Sequence, residues 1–223
     1  MPAPRALRVV AARAAACQHQ AMPTLEMRVF ELLTARLCHE LIGPVAAIGN
    51  GVELLLEEPL DPDQEALALV AESARRASSR LQFYRFAYGF GGEGAAAGPS
   101  PSELAASYFE TTAISCDCRQ GFRTLAPVLQ KLGCNLVLVG AEALPRGGRL
   151  TVDAAGPGLH LEIAGEPVHL APEQLEALAL ATPPEGLTAR TVHAYFTGLL
   201  AQARGMRLAA VAVGPGRFDI RTA

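Results

Sequence analysis

From Phe30 to Leu55, apolar residues return every three or four positions: Phe30, Leu33, Leu37, Leu41, Ile48, Val52 and Leu55. At about 100° per residue these side chains share one stripe, which predicts a helix that packs along one face. Thr24 is the expected N-cap and Pro59 the stop, giving a helix over about 24–58. Pro44 removes a backbone donor and crowds the carbonyl four residues back, so a bend is expected there. Gly43, Gly49 and Gly51 each cost up to about 1 kcal/mol against alanine. Packing must therefore hold this helix together.

A second helix opens with Asp61-Pro62-Asp63-Gln64, an acidic cap, a proline at the first helical position and a capping-box glutamine. Its stripe is Leu67, Val70, Ala74, Ala77, Leu81, Tyr84 and Tyr88, alternating steps of three and four as in a paired seam. The short link makes the two helices antiparallel neighbours. Two helices cannot cover both stripes and the flanking Ile42, Leu54, Leu56 and Leu69. A second copy can, which predicts a homodimeric four-helix bundle.

The Gly-, Ala- and Pro-rich run 91–101 reads as a linker between two domains. Residues 1–23 are expected to be a tail, 24–90 the helical hairpin and 102–223 a second domain. In the latter, a short helix near 102–110 leads to a strand near Ala113 and a long helix over about 122–143. Strands follow at 149–155 and 159–163, helices at 172–180 and 188–203, and a hairpin at 207–213 and 217–221 around Gly214-Pro215-Gly216. Helices alternating with mostly antiparallel strands predict an α/β two-layer sandwich.

Against this frame, His39 points away from the apolar stripe. Its outward face carries Ala35, Ala46, Asn50, Glu53 and Glu57, so nothing apolar covers the ring. An isolated histidine on a helix is usually a surface residue; this one is followed by Glu40 and, five residues on, by Pro44.

The run His39-Glu40-Leu41-Ile42-Gly43-Pro44-Val45 resembles the H-box of the dimerisation and histidine-phosphotransfer domain of sensor histidine kinases. Extended over 35–55, it is more similar to the ChpT-type histidine phosphotransferases of alphaproteobacterial cell-cycle phosphorelays. The order of elements after the linker resembles the ATP-binding domain of those kinases. There Asn135-Leu136-Val137-Leu138-Val139 matches the N-box spacing, but the asparagine that holds magnesium is replaced by Val139, which offers no oxygen. The adenine-gripping D-x-G-x-G becomes Gly165-Glu166-Pro167-Val168-His169, and Thr191-Val192-His193-Ala194-Tyr195-Phe196 has no glycine to approach phosphates.

The resemblance implies a dimeric phosphotransferase, without ATP, that accepts phosphate on His39 from a receiver-domain aspartate and passes it to response regulators. The donor would be the receiver domain of a hybrid kinase, and Mg2+ would be supplied by the receiver. A neutral imidazole, with an ordinary pKa near 6.5, is a nucleophile at neutral pH. Glu40 would orient the ring or take its proton, or else be a solvated helix carboxylate. With His39 level with Gln82, the expected docking surface is Arg36, Gly43, Ala46 and Asn50 beside Arg75, Arg76 and Ser79. A non-catalytic scaffold for receiver domains and an active kinase are the alternatives.

Composition narrows the setting. With 223 residues, 50% of them hydrophobic, and a net charge of -3, the chain lacks the basic footprint of a nucleic-acid binder. Residues 1–22 carry Arg5, Arg8 and Arg13 and no acid, but Arg13 interrupts what would be the apolar core and Val9-Val10-Ala11-Ala12 is too short to be one, so a signal peptide is not expected. No later run approaches ~18 consecutive apolar residues, so a cytoplasmic protein is expected. The five cysteines form an odd set, so reduced thiols are expected, and Cys116-Asp117-Cys118 lacks a partner at metal-ligand spacing.

Overall fold

A computed structural model describes residues 26–57, 64–89 and 98–223. The expected tail, the Thr24 and Asp61 caps, the Pro59 stop and most of the linker lie outside these residues. Helix α1 is Met27–Glu57 and α2 is Gln64–Tyr88. Arg80 reaches Glu40, and a Cβ on Gly51 would touch Ala66 and Val70. As one helix advances, its partner position retreats by the same step, so the helices are antiparallel.

The stripe expected on α2 divides in two. Val70, Ala77, Tyr84 and Tyr88 are covered, together with Ala66, Ser73, Phe83 and Ala87, whereas Leu67, Ala74 and Leu81 are exposed. On α1, Leu33, Leu37, Leu41, Ile48 and Leu55 are partly covered, Val29 is buried, and Phe30, Ile42, Val45 and Val52 are exposed. By length and composition α1 could cross a membrane. Its Arg36 and Glu40 side chains are paired with Glu142 and Arg80, and its inner stripe meets α2. These contacts are those of a bundle helix.

The second unit begins with α3 (Pro101–Phe109), capped by a reciprocal box in which Ser100 N–H donates to Glu103 and the Ser100 hydroxyl accepts from Glu103 N–H. Strand β1 (Ile114–Cys118) follows. The long helix expected over 122–143 is interrupted: α4 (Gln120–Arg123) and α5 (Pro127–Glu142) are separated by a turn. Pro127 has no N–H to continue the first helix but suits the first position of the second. Strands β2 (Gly148–Ala155) and β3 (Gly158–Ala164), helices α6 (Pro172–Leu178) and α7 (Val192–Gln202), and strands β4 (Leu208–Gly214) and β5 (Arg217–Thr222) complete the chain.

The sheet order is β1-β2-β3-β5-β4, with β1 parallel to β2 and the other pairs antiparallel. In this register Val152, Leu161 and Ile220 lie side by side, as do Leu150 and Ile163, and all five are fully buried under the helices. Alternate residues, Thr151, Glu162, Arg217 and Arg221 among them, form a polar outer face. A Cβ on Gly140 would come within 2.9 Å of Leu150 and Leu161, so glycine lets α5 lie close on the sheet. The fold is a helical hairpin followed by an α/β two-layer sandwich.

Candidate functional site

The last turns of α2 and the first half of α1 are clamped onto the α/β unit. Phe83 and Ala87 are fully buried. Arg28 donates to the Leu187 carbonyl at 2.9 Å, Lys131 donates to the Gly89 carbonyl, and Arg36 pairs with Glu142, whose other oxygen accepts from Gln174. Burial pushes the Glu142 carboxyl above the usual carboxylate range, although Arg36 and Gln174 both favour its ionised form. Arg36 also reaches the Ala189 carbonyl. Its side chain is only 19% exposed, so it serves the junction between the two units and does not join the docking surface expected for it.

Of the positions compared above with nucleotide-binding boxes, those on α5 and at the start of α7 pack into the core or this junction, whereas Glu166, Pro167 and His169 are exposed. Val139 is buried in the core. Asn135 donates to the Ala87 and Lys131 carbonyls. His193 is fully buried, its Nδ1 2.8 Å from the Tyr88 hydroxyl and its Nε2 3.1 Å from the Asn135 carbonyl. A carbonyl only accepts, so Nε2 carries the proton and Nδ1 accepts from Tyr88. Burial, with the Arg36 charge nearby, lowers the pKa of His193 to about 3. Tyr88 also stacks edge-on against His193 and Phe196. The end of α2 therefore covers the start of α7.

Beyond this junction α1 emerges, and His39 is exposed there, with Cys38 also exposed. The ring lies about 120° around the helix from the side facing α2 and about 110° from the exposed row Val45, Gly49, Val52 and Leu56. It thus points away from both apolar surfaces. Glu40, the next residue, turns inward: its carboxylate pairs with Arg80 and is 28% exposed. It is a partly covered, ion-paired carboxylate.

Gly43, Ala46 and Asn50 are exposed on the His39 side of α1. Arg75 and Arg76 are exposed on the outward side of α2, Arg75 paired with Glu72. Ser79 is half-buried, donates to the Arg76 carbonyl and lines a cleft with Gln82, Pro99 and Glu103. Leu54 and Leu69 are both about half exposed. Among the described residues, no group of three or more His, Cys, Asp or Glu could hold a metal ion, and the four described cysteines are free thiols.

The residue missed by sequence reasoning is Arg80. A signal for it existed: proline at 44 orphans the carbonyl at 40, and a hairpin folded near residue 60 brings a residue near 80 opposite it.

A hairpin with one bare histidine, clamped through Asn135 and His193 to an α/β two-layer unit, is the arrangement of a histidine phosphotransferase. Comparison with known proteins agrees. Residues 107–216 match the family described as the histidine phosphotransferase C-terminal domain. Over 184 residues the chain is 39% identical to protein phosphotransferase ChpT of Brucella abortus, covering 79% of this chain and 87% of that protein. A solved bacterial phosphotransferase superposes with a TM-score of 0.72 at 32% identity, over 91% of this chain and 99% of that one. The chain belongs to the ChpT family of protein phosphotransferases, and it is a histidine phosphotransferase of a phosphorelay.

Proposed function

We propose that His39 is the phosphoacceptor, exchanging phosphate with aspartates of receiver domains in a hybrid kinase and in response regulators. The observation that carries this is the bare imidazole on the outward side of a helix whose other sides are apolar. The unprotonated ring nitrogen attacks the phosphorus of an aspartyl phosphate. The N–P bond forms as the acyl O–P bond breaks, and the aspartate leaves with the electron pair. The other ring nitrogen keeps its proton, so no base is needed, in keeping with Glu40 being held by Arg80. Mg2+ on the receiver balances the charge of the transferred group, and reversal returns the phosphate.

Two further readings accompany it. The protein acts as a cytoplasmic homodimer: the exposed row Phe30, Val45, Val52 and Leu56 on α1 and Leu67, Ala74 and Leu81 on α2 form one apolar surface that a second hairpin covers. The receiver docks on the outward side of the hairpin at Gly43, Asn50, Leu54, Leu69 and Arg76, with the α/β unit at its far end; no ATP is used. The test is transfer of radiolabel from a phosphorylated receiver domain to the full chain. Label on the wild type and none on His39→Ala supports the reading. Equal label on both, or none on either, overturns it; a receiver that binds without transfer points to a scaffold.

A further inference from the structure

Pro44 has no N–H, so the Glu40 carbonyl loses its helical donor. Arg80 replaces that donor: its Nη1 lies 3.0 Å from the Glu40 carbonyl oxygen and 2.5 Å from Glu40 Oε2. The Arg80 side chain is only 22% exposed, and its guanidinium sits 5.9 Å from the centre of the Tyr108 ring on α3. Tyr108 is fixed in turn by a 3.0 Å hydrogen bond to Tyr84 and by ring packing with Phe83. One side chain thus closes the gap that proline opens, neutralises the carboxylate beside the histidine, and is braced by the α/β unit.

We propose that Arg80 is the positioning residue of the phosphoacceptor turn, holding α1 helical across Pro44 so that His39 keeps its outward aim. This rests on His39 being the acceptor. The residue works through Glu40 and touches neither phosphate nor aspartate. Without it, the freed carbonyl must find water, the turn ahead of His39 loosens, and an unpaired carboxylate is released next to the incoming phosphate. The geometry requires Arg80 and Pro44 to be coupled, because an N–H at position 44 would satisfy the same carbonyl.

Single-turnover transfer from a phosphorylated receiver domain, measured on the full chain across receiver concentrations, tests this. Arg80→Met is expected to lower the maximal rate about tenfold or more, since small misplacements of reacting groups carry such factors. The half-saturating receiver concentration should stay within about twofold. Arg80→Lys keeps one donor and should fall between. Combining Pro44→Ala with Arg80→Met should recover most of the lost rate. A wild-type rate for Arg80→Met, a loss confined to half-saturation, or no recovery in the double variant overturns the proposal. Urea denaturation of wild type, Arg80→Met, Pro44→Ala and the double variant gives a second arm: non-additive changes support the link, additive ones refute it. A wild type that takes no label overturns the acceptor reading instead, and the denaturation arm still decides the Pro44–Arg80 link.

Discussion

Arg36→Met removes the cation from the ion pair joining α1 to α5 and leaves Glu142 facing Gln174 alone. Removing one member of a buried pair costs about 3–5 kcal/mol, because the remaining charge is stranded away from water. Here the two side chains are 19% and 22% exposed. Solvent screens part of that, leaving about 2–3 kcal/mol at pH 7.5. Removing both charges with Arg36→Met plus Glu142→Gln strands nothing and should cost under about 1 kcal/mol. The sign of the pH effect follows from the carboxyl. Its folded pKa is already raised by burial above an unfolded value near 4.3, and losing Arg36 raises it further. A group raised in the folded state binds a proton more tightly there, so folding gains as pH falls towards the unfolded pKa.

The single variant's penalty should therefore shrink between pH 7.5 and 5, while the double variant's stays flat. Urea midpoints at fixed protein concentration, with an unchanged dependence on urea, measure this. If the double variant is as damaged as the single at both pH values, the pair's role is packing and the electrostatic account fails.

His193, neutral with a folded pKa near 3 and an unfolded one near 6.5, should cost the wild type about 2 kcal/mol of stability as pH falls to 5. His193→Gln should flatten that slope relative to wild type, and equal slopes would place the acid sensitivity elsewhere. Gly43→Ala meets nothing within 4 Å and should stabilise by up to about 1 kcal/mol. Gly51→Ala puts a Cβ 2.5 Å from Val70 Cγ2, a stiff β-branched neighbour, and should be no more stable than wild type in thermal melts. Val45→Glu with Leu81→Glu should yield monomers in sedimentation at micromolar concentration; persistent dimers would put the interface on another face.

The hairpin was legible because its cause is local and periodic. The two stripes and the outward angle of His39 needed only the 3.6-residue repeat. What periodicity could not supply was which half of each stripe meets α2 and which half stays open; Leu67 and Tyr84 belong to one sequence stripe but to different surfaces. Arg36 illustrates the same gap. Its position beside the H-box suggested docking, yet Glu142, 106 residues away, holds it. The α4–α5 break is legible in the sequence, because Pro127 marks the start of a new helix.

The junction bears on how transfer can take place. A kinase that phosphorylates its own histidine needs its nucleotide domain to reach the imidazole and then withdraw for the receiver. In this chain the corresponding unit is tied down by Arg28 to Leu187, Arg36 to Glu142, Asn135 to Ala87 and Tyr88 to His193. Each polar link is worth about 1 kcal/mol net, so opening all four at once leaves roughly one molecule in a thousand undocked, before the buried Phe83 and Ala87 are counted. Asn135 and His193 thus hold the unit in place. On the reading that His39 is the acceptor, a receiver must fit a fixed corner between the outward side of the hairpin and the α/β unit, and partner choice becomes a matter of shape and charge on two rigid surfaces at once.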